Sequence, residues 1–133
     1  MKEEKGVVEL LRKAGYPERA IDYYVRKLNV GVIEGAEAVD SFTGLCGDSM
    51  RIYLKIEEGI IKDAKFQAIG CAGAFASGSA LTEMVKKKTL KDAEKITEHD
   101  LIKDLEGLPG PKLHCARLAV DALRKSIESY TKQ

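Results

Sequence analysis

Residues 51–69 read RIYLKIEEGIIKDAKFQAI, and their pattern predicts an antiparallel β-hairpin. Apolar and polar residues alternate over 51–57, which is the period of a half-buried strand. Residues 58–59, a glutamate and a glycine, suit a tight turn, and a second strand follows over 60–69. Because an isolated two-stranded hairpin is only marginally stable, we expect residues 36–45 to add a third strand.

Helical periodicity predicts the elements on both sides of this sheet. Two helices precede it, over 2–14 and from Pro17 onward. A third helix begins after Cys71 and carries the lysines 86–88 in its last turn, where cations complement the helix dipole. Three more helix starts are predicted, at Thr89, Thr97 and Cys115.

The fold class that follows is α+β, a small antiparallel three-stranded sheet with helices packed mainly on one face. The sequence contains no internal repeat, low-complexity tract or linker, so residues 1–133 are expected to form a single domain. Residues 1–15 add an N-terminal helical segment to that domain.

The charge balance excludes two classes of partner. Lysine and arginine total 22 against 21 aspartates and glutamates, which gives a formal net charge of +1. Nucleic-acid grooves and polybasic membrane anchors need a large positive excess, so neither partner is expected. The longest uncharged stretch, 66–82, is shorter than a membrane span, and the N-terminus lacks the apolar core of a signal peptide. We therefore expect a soluble, cytoplasmic protein.

Three cysteines carry the chemical information in the chain. An odd number of thiols cannot pair fully within one chain, so each is a packing residue, a reactive group or a metal ligand. Cys46, Cys71 and Cys115 all lie at predicted element boundaries, the first two beside glycines that let the backbone bend around a bound group. Cys71 and Cys115 also lie near predicted helix N-termini, where the helix dipole lowers a thiol pKa and favours the thiolate.

Two neighbours complete a set of metal ligands. Asp48 lies two residues after Cys46, and His114 directly precedes Cys115. Three thiolates with one imidazole or carboxylate suffice for tetrahedral zinc or for an iron–sulfur cluster. The chain contains no Cys-x-x-Cys motif, so the ligands would meet only through the fold. Spacing alone therefore favours a metal site only modestly over three scattered packing thiols.

Other chemistries fit these residues less well. His114 and Cys115 could act as base and nucleophile, but adjacent residues of a helix point about 100° apart and do not face each other. The glycine-rich residues 70–78 lack the ending of a Walker motif and the spacing of a dinucleotide fingerprint. We interpret them as small residues that let a helix approach the sheet closely. His99 is interpreted as an exposed residue in the first turn of a helix.

Seven short motifs occur in a specific order between Tyr16 and Ile127. They are Cys46-Gly47-Asp48, Tyr53-Leu54-Lys55, Asp63-Ala64-Lys65-Phe66, Gly70-Cys71, Ala76-Ser77, Lys88-Thr89-Leu90 and Lys112-Leu113-His114-Cys115. In this order they resemble the IscU/NifU-type iron–sulfur cluster assembly scaffolds. The resemblance implies an IscU/SufE-like fold, with an antiparallel three-stranded sheet and helices against it.

The same resemblance implies a scaffold rather than an enzyme. Such a protein receives sulfur from a cysteine desulfurase and iron from an iron donor, builds a labile 2Fe–2S cluster, and passes it to apo iron–sulfur proteins. Zn²⁺ can fill the same site. Five residues match the family's metal ligands: Cys46, Asp48, Cys71, His114 and Cys115. Asp48 and His114 stay open as alternatives for the fourth ligand.

Further residues match positions at or beside the family's site. Cys115 matches the persulfide acceptor, and Gly47, Gly70 and Lys112 lie next to the ligands. The interval between Cys71 and Cys115 holds 43 residues, as in the IscU type and without the insertion of the SufU type. The alternative function is that of a zinc-bound sulfur-acceptor or relay protein of the SufU kind, and a third is a structural metal protein or interaction module.

Two segments are implicated in partner contacts by the resemblance. Tyr16 resembles a family tyrosine linked to partner contact and association. The family segment Leu-Pro-Pro-Val-Lys, which a dedicated Hsp70-type chaperone recognises, reads here Leu108-Pro109-Gly110-Pro111-Lys112. Gly110 and Pro111 change both the side chains and the backbone stiffness of that segment, which weakens the expectation of a chaperone partner.

Overall fold

The computed structural model describes residues 2–44 and 47–132, with side chains from residue 5 onward. Six helices and three strands follow one another in this part of the chain. They are α1 (Lys2–Lys13), α2 (Glu18–Arg26), β1 (Ala38–Thr43), β2 (Ser49–Glu57), β3 (Ile60–Ile69), α3 (Ala72–Val85), α4 (Leu90–Glu94), α5 (Glu98–Asp104) and α6 (His114–Thr131). A 3-10 turn over Gly110–Lys112 leads into α6.

The three strands form one antiparallel sheet in the order β1-β2-β3, as predicted. In the turn between β2 and β3, Glu58 has φ +53° and Gly59 has φ +76°. Both values lie in the left-handed region that a two-residue hairpin turn requires. Ser49, at the start of β2, pairs with Ile69, at the end of β3. The residues just before β2 and just after β3 therefore emerge side by side.

Helices cover one face of this sheet. α6 and α3 pack on the strands, and α2 packs on α3. The side chains buried between these layers include Ile52, Leu54, Phe66, Leu123 and Ile127. The arrangement confirms the predicted α+β class. No helix in the described ranges is both long enough and apolar enough to cross a membrane.

The short helices begin where the sequence predicts. Thr89 caps α4, and its Oγ1 accepts a hydrogen bond of 3.1 Å from the Asp92 N–H. Thr97 and Asp100 form a capping box at the start of α5. Each cap satisfies backbone N–H groups that the first turn of a helix leaves free, which is why these local signals are reliable.

The lysines 86–88 lie outside α3, so the prediction that they occupy its last turn is wrong. α3 ends at Val85, and Lys87 has φ +71°. The Lys87 N–H donates to Ile61 O at 2.7 Å, and the Ile61 N–H donates to Lys88 O at 2.9 Å. These bonds pair the segment with the start of β3, and they replace the bonds that would have continued the helix.

A serine of α6 bridges strands β1 and β2. Ser126 is fully buried, and its Oγ accepts a hydrogen bond from the Asp40 N–H at 2.9 Å. The same hydroxyl donates to Ile52 O at 2.6 Å. Asp40 and Ile52 are partners in the strand ladder, so one helix side chain links the two strands to each other and to α6.

We predict that Ser126→Ala lowers the free energy of unfolding by about 1–2 kcal/mol, because two backbone groups lose their partner away from water. Urea denaturation measures the change. Ser129→Ala is the control, since the Ser129 Oγ is 3.4 Å from Val39 O, a longer and weaker bond. Ser129→Ala should change the free energy of unfolding by less than about 0.5 kcal/mol. An equal loss in both variants would contradict the bridging role.

A glutamate before β1 holds the end of β2. β1 begins at Ala38, opposite Leu54, so Ile56 lies beyond the last pair. The Ile56 N–H donates instead to Glu37 Oε1 at 2.7 Å, and Lys55 Nζ lies 3.2 Å from Glu37 Oε2. The hydrogen bond from Ile56, followed by the one from Lys55, lowers the pKa of Glu37 below its ordinary value.

A group whose pKa is lowered in the folded state stabilises the protein above its ordinary pKa, and this contribution is lost as the pH falls through the folded-state pKa. We therefore predict that Glu37→Gln is less stable than the parent protein at neutral pH and that the difference shrinks in acid. Urea midpoints at a series of pH values measure it. Glu57→Gln, an exposed neighbour, is the control. A difference between Glu37→Gln and the parent that stays constant with pH would disprove the role of the carboxylate.

Candidate metal centre

Three segments of the chain meet at one end of the sheet. Asp48 directly precedes β2, and Cys71 is the N-cap residue of α3. His114 and Cys115 are the first two residues of α6. The antiparallel pairing of β2 and β3 places Asp48 against Gly70. The two residues are so close that a side chain at position 70 would put its Cβ only 2.9 Å from Asp48 Oδ2. Hairpin geometry therefore accounts for the position of the carboxylate beside Cys71.

The donor atoms of these residues lie close together. The Sγ atoms of Cys71 and Cys115 are 3.6 Å apart, and Cys115 Sγ is 3.8 Å from His114 Nε2. One ligand atom each from Asp48, His114 and Cys115 forms a group within 4.8 Å. Sequence reasoning predicted that three thiols, the Asp48 carboxylate and the His114 imidazole converge. The four of these residues that the structure describes lie at this end of the sheet, and their role as ligands remains a prediction.

These separations fit ligands of one metal ion. Two sulfurs bound at 2.3 Å to a tetrahedral ion lie about 3.8 Å apart, and a sulfur and a nitrogen lie about 3.6 Å apart. The distances from Cys115 to Cys71 and to His114 are close to these values. The donor set of thiols, an imidazole and a carboxylate suits zinc or iron. His114 and Cys115 are adjacent, yet both reach the same point because they lie at the entrance of α6.

The ligand candidates differ in their exposure to solvent. Cys115 is fully buried, Cys71 and Asp48 are half-buried, and His114 is exposed. The site is therefore a surface rim, with the Cys115 thiol at its floor. A group bound there would be reachable from solvent through the side of Asp48 and His114.

The two thiols have opposite pKa shifts. Burial alone would raise the pKa of Cys71, but hydrogen bonds with the Ala74 N–H, the Cys115 thiol and the Gly73 N–H outweigh it and lower the pKa. Burial, followed by the charge of Cys71, raises the pKa of Cys115 to about 12. The prediction of a lowered pKa is therefore confirmed for Cys71 and wrong for Cys115, because burial and then the charge of Cys71 disfavour the Cys115 thiolate.

The first predicted ligand, Cys46, lies outside the described residues, as does Leu45. Gly47, predicted to be adjacent to the site, is exposed and has φ +90°, a conformation that favours glycine. Asp48, the next candidate ligand, follows Gly47 directly.

Gly73 is a residue of the site that sequence reasoning did not single out. A Cβ at this position would lie 3.0 Å from Cys115 Sγ and 3.4 Å from both Lys112 Cβ and the Tyr16 hydroxyl oxygen. Only a residue without a side chain leaves room for these three groups at once. The sequence signal that could have identified Gly73 is its position two residues after Cys71, in the first turn of α3.

Tyr16 lies inside the molecule, against the site. Only 8% of the residue is exposed. Burial, followed by the charges of Cys71 and Cys115, raises the pKa of Tyr16 to about 12. Its hydroxyl is therefore neutral and faces the thiols. The predicted contact of Tyr16 with a partner remains a prediction.

The second predicted partner segment, 108–112, lies between the site and the turn before α2. Leu108 and Pro109 are half-buried, whereas Gly110 and Pro111 are exposed. Pro109 Cγ lies 3.8 Å from where a Cβ of Gly15 would be. The Lys112 N–H donates to Pro109 O at 2.8 Å and closes the 3-10 turn. This turn fixes Lys112 beside Gly73, next to the thiols.

A cleft of about 500 Å³ opens beside His114. It is lined mainly by apolar side chains of β1 and α6, including Phe42 and Leu118, with Arg117 and Asp121 also on its walls. Arg117 and Asp121 pair across one turn of α6 at 3.8 Å. The cleft adjoins the candidate ligands through His114 but contributes no further ligand from the residues described.

His99 lies away from these ligands, exposed in the first turn of α5, as predicted. The small residues of α3 also take the predicted role. A Cβ at Gly78 would lie 2.4 Å from Phe66 Cε2, so the glycine lets the helix lie directly on the sheet.

A family model and individual relatives assign this chain to the same protein family. The profile of the family described as "NifU-like N terminal domain" matches residues 15–133. Iron-sulfur cluster assembly scaffold protein IscU 1 of Archaeoglobus fulgidus is 45% identical over 116 residues, which cover 86% of this chain and 76% of that protein. IscU of Azotobacter vinelandii is 41% identical over 121 residues, which cover 86% and 93%.

Solved structures agree with this fold. A putative iron-sulfur cluster assembly scaffold protein for the SUF system from Fervidobacterium islandicum superposes with a TM-score of 0.70 at 26% identity, covering 84% of this chain and 96% of that one. The N-terminal part of a nitrogen-fixing NifU-like protein from Brucella abortus superposes with a TM-score of 0.72 at 20% identity, covering 92% and 99%. The second likeness supports the fold alone.

The resemblance stated from the sequence motifs is thereby confirmed. The two curated relatives carry the names of assembly scaffold proteins and not of enzymes. With a profile match over almost its whole length and relatives above 40% identity, the chain belongs to the NifU-like N-terminal domain family, among its IscU-type members.

Proposed function

We propose that this protein is a scaffold for iron–sulfur cluster assembly, not an enzyme with a turnover of its own. The observation that carries the proposal is the convergence of Asp48, Cys71, His114 and Cys115 at one solvent-reachable rim. Relatives named as IscU scaffolds share 41–45% of their aligned residues with this chain, which supports the same role.

The mixed ligand set suits a site that releases what it holds. Iron–sulfur clusters are commonly held by four cysteine thiolates. Here the half-buried Asp48 offers a harder carboxylate, and the exposed His114 an imidazole, both less well matched to iron than thiolate. With Cys46 as the fifth candidate donor for four positions, ligands can exchange as a cluster forms and leaves.

The finer parts of the proposal concern the cargo and the partners. The cluster is a labile 2Fe–2S cluster, its sulfur comes from a cysteine desulfurase as a persulfide on Cys115, and its iron comes from an iron donor. The recipients are apo iron–sulfur proteins of the cytoplasm. Tyr16 and residues 108–112 contact partners, and the Gly110-Pro111 departure argues against an Hsp70-type chaperone among them. Residues 1–133 act as one domain, with 1–15 as an added segment.

One alternative function has an observation in its favour. The separations of Cys115 from Cys71 and His114 fit a single tetrahedral ion, as a zinc-bound sulfur relay would need. A structural neighbour is described as a scaffold for the SUF system. In this alternative, zinc stays bound and the protein accepts persulfide sulfur without building a cluster.

Anaerobic reconstitution with iron, cysteine and a cysteine desulfurase separates these functions. A visible absorption band, with iron and acid-labile sulfide in near-equal amounts, supports the scaffold. Sulfur uptake without colour, with zinc retained, supports the relay. If neither sulfur nor iron is taken up, the protein is a structural metal protein or an interaction module, and the proposed function is wrong.

We predict that Asp48→Ala binds a longer-lived cluster and transfers it more slowly to an apo-ferredoxin. Removal of the hard donor leaves only softer ligands, which hold iron more tightly and exchange less readily. Decay of the visible band and the rate of ferredoxin reconstitution measure the two effects. Asp63→Ala is the control, because Asp63 is equally half-buried but lies near the opposite end of β3. Unchanged lifetime and transfer rate in Asp48→Ala would exclude Asp48 from cluster release.

A further inference from the structure

The outer edge of β1 is open next to the candidate metal centre. β1 is an edge strand, because the sheet order is β1-β2-β3. The Gly44 N–H donates to Asp48 O at 2.8 Å, so this bond continues the ladder between β1 and β2. Bonded and non-bonded pairs alternate in an antiparallel ladder. The N–H and C=O of Thr43, which lies one residue earlier and opposite Ser49, therefore point away from β2.

The chain's own side chains occupy the rest of this outer edge. The Ser41 N–H, which faces the same way as that of Thr43, donates to the Asp40 carboxylate at 2.7 Å. The Val39 C=O accepts a hydrogen bond from Ser129 Oγ at 3.4 Å. Among residues 2–44 and 47–132, no side chain accepts a bond from the Thr43 N–H. The open part of the edge is therefore at the end of β1 that lies nearest to the candidate ligands.

The cleft of about 500 Å³ lies beside this open edge. Thr43 and Gly44 line it from the strand, and Leu118 lines it from α6. An open strand edge binds an extended peptide as an added strand, with backbone hydrogen bonds for affinity and a neighbouring pocket for one side chain. The edge and the cleft together therefore fit an extended segment that carries an apolar side chain.

We propose that the Thr43 edge and this cleft dock the apo iron–sulfur protein that receives the cluster, through an extended segment that carries a ligand cysteine. This inference rests on the proposed function and names the surface at which the cargo leaves. His114 is the exposed member of the described ligand candidates, and it lines the same cleft. A cysteine of the docked segment therefore arrives beside the ligand that is open to solvent.

The chemistry of ligand exchange favours a recipient protein at this surface. A thiolate is softer than an imidazole and matches iron better, so the incoming cysteine displaces His114. One iron–sulfur bond forms, one iron–nitrogen bond breaks, and the neutral imidazole leaves, so no electron is transferred. Arg117 also lines the cleft, with 72% of its side chain exposed, and pairs with Asp121 only at 3.8 Å. Because such an exposed pair is weak, the guanidinium stays available to attract an anionic thiolate.

Hydrogen exchange of the Thr43 amide tests the docking directly. Apo-ferredoxin, the probe recipient, is added to the isotope-labelled, cluster-free full chain, and the exchange is followed by NMR. We expect the Thr43 amide to exchange roughly tenfold more slowly when apo-ferredoxin is in excess, because a bonded amide exchanges only when the added strand opens. The parent protein decides this result without any variant.

Cluster transfer from variants tests the same surface. Thr43→Pro removes the N–H and should slow transfer to apo-ferredoxin roughly three- to tenfold, the value of one hydrogen bond. Thr43→Val is the matched control, because it keeps the N–H at an exposed position, and it should transfer at the parent rate. Gly44→Leu should also slow transfer, since a Cβ there would lie 3.6 Å from Leu118 Cδ1 and the added side chain would fill the cleft. Iron and sulfide content and urea midpoints check that each variant loads a cluster and folds.

Unchanged exchange of the Thr43 amide in the presence of apo-ferredoxin overturns the inference, as does transfer at the parent rate from both Thr43→Pro and Gly44→Leu. Protection by a cysteine desulfurase instead of apo-ferredoxin would mean that the edge docks the sulfur donor. Protection that grows with the concentration of the free protein would mean that it docks a second copy, and either result refutes the assignment to a recipient. A parent protein that builds no cluster refutes the proposed function, whereas a loaded parent that transfers its cluster without this surface refutes only the inference.

Discussion

Replacing Gly78 by alanine is expected to destabilise the protein by about 3 kcal/mol, the upper part of the range for overpacked cores. The new Cβ would lie 2.4, 2.6 and 2.8 Å from three ring carbons of Phe66. Phe66 is fully buried in β3 and packs on Phe75 of α3, with ring centroids 6.1 Å apart. The ring cannot move aside without shifting its neighbours, because cores are packed as densely as organic crystals. Urea denaturation with linear extrapolation measures the loss.

The chain offers a matched control in Gly6, which also lies inside a helix. A Cβ there would meet nothing within 4 Å. Gly6→Ala should therefore stabilise the protein by up to about 1 kcal/mol, because alanine is the better helix former. The two glycine-to-alanine substitutions are thus expected to change the free energy of unfolding in opposite directions.

A double-mutant cycle with Phe66→Leu identifies the cause. If the ring is what the new methyl group strikes, Gly78→Ala should be much less destabilising in the Phe66→Leu background than in the parent. An undiminished loss in that background would contradict the close approach of α3 to the sheet as the explanation.

Zinc binding is expected to stabilise the parent protein and to have almost no effect on Cys115→Ser. Cys115 Sγ lies close to both Cys71 Sγ and His114 Nε2 and belongs to the group that contains Asp48, so both described sulfur contacts involve it. At free zinc about 100 times the dissociation constant, binding raises the free energy of unfolding by about 2.7 kcal/mol. If the variant binds about 100-fold more weakly, the gain falls to about 0.4 kcal/mol.

Urea denaturation with and without zinc measures this gain, and addition of a chelator should reverse it. The control is His99→Ala, because His99 is the chain's other histidine and lies exposed in α5. His99→Ala should keep the full gain, and a comparable loss there would indicate nonspecific zinc binding. A full gain in Cys115→Ser would mean that the candidate centre does not bind zinc through the buried thiol.

The amino-acid sequence by itself specified the local structure of this protein. Alternation over 51–57 and the Glu58-Gly59 turn predicted the hairpin, and Thr89 and Thr97 marked two helix starts. These features depend on residues within a few positions of one another, so a linear pattern contains them. The ordered motifs also identified the family, and with it the candidate ligands on both sides of 43 intervening residues.

Strand register was decided only in three dimensions. A two-residue turn by itself would set Ser49 opposite Ala68, but the irregularity between Lys55 and Ile56 shifts the pairing, so that Ser49 faces Ile69. That shift of one residue brings Asp48 against Gly70. No local pattern predicts it, because a bulge depends on how both strands pack on the helices.

The chemical difference between the two described thiols also required the tertiary structure. Both cysteines stand near helix N-termini, and a rule based on the helix dipole treats them alike. Packing of Gly73, Lys112 and Tyr16 buries Cys115, and this burial, followed by the charge of Cys71, raises the Cys115 pKa. Cys71 stays partly open, and hydrogen bonds from the Ala74 N–H and the Cys115 thiol lower its pKa. Burial and contact between residues distant in sequence are properties of the folded chain, so the sequence could nominate these thiols as ligands but not predict their opposite pKa shifts.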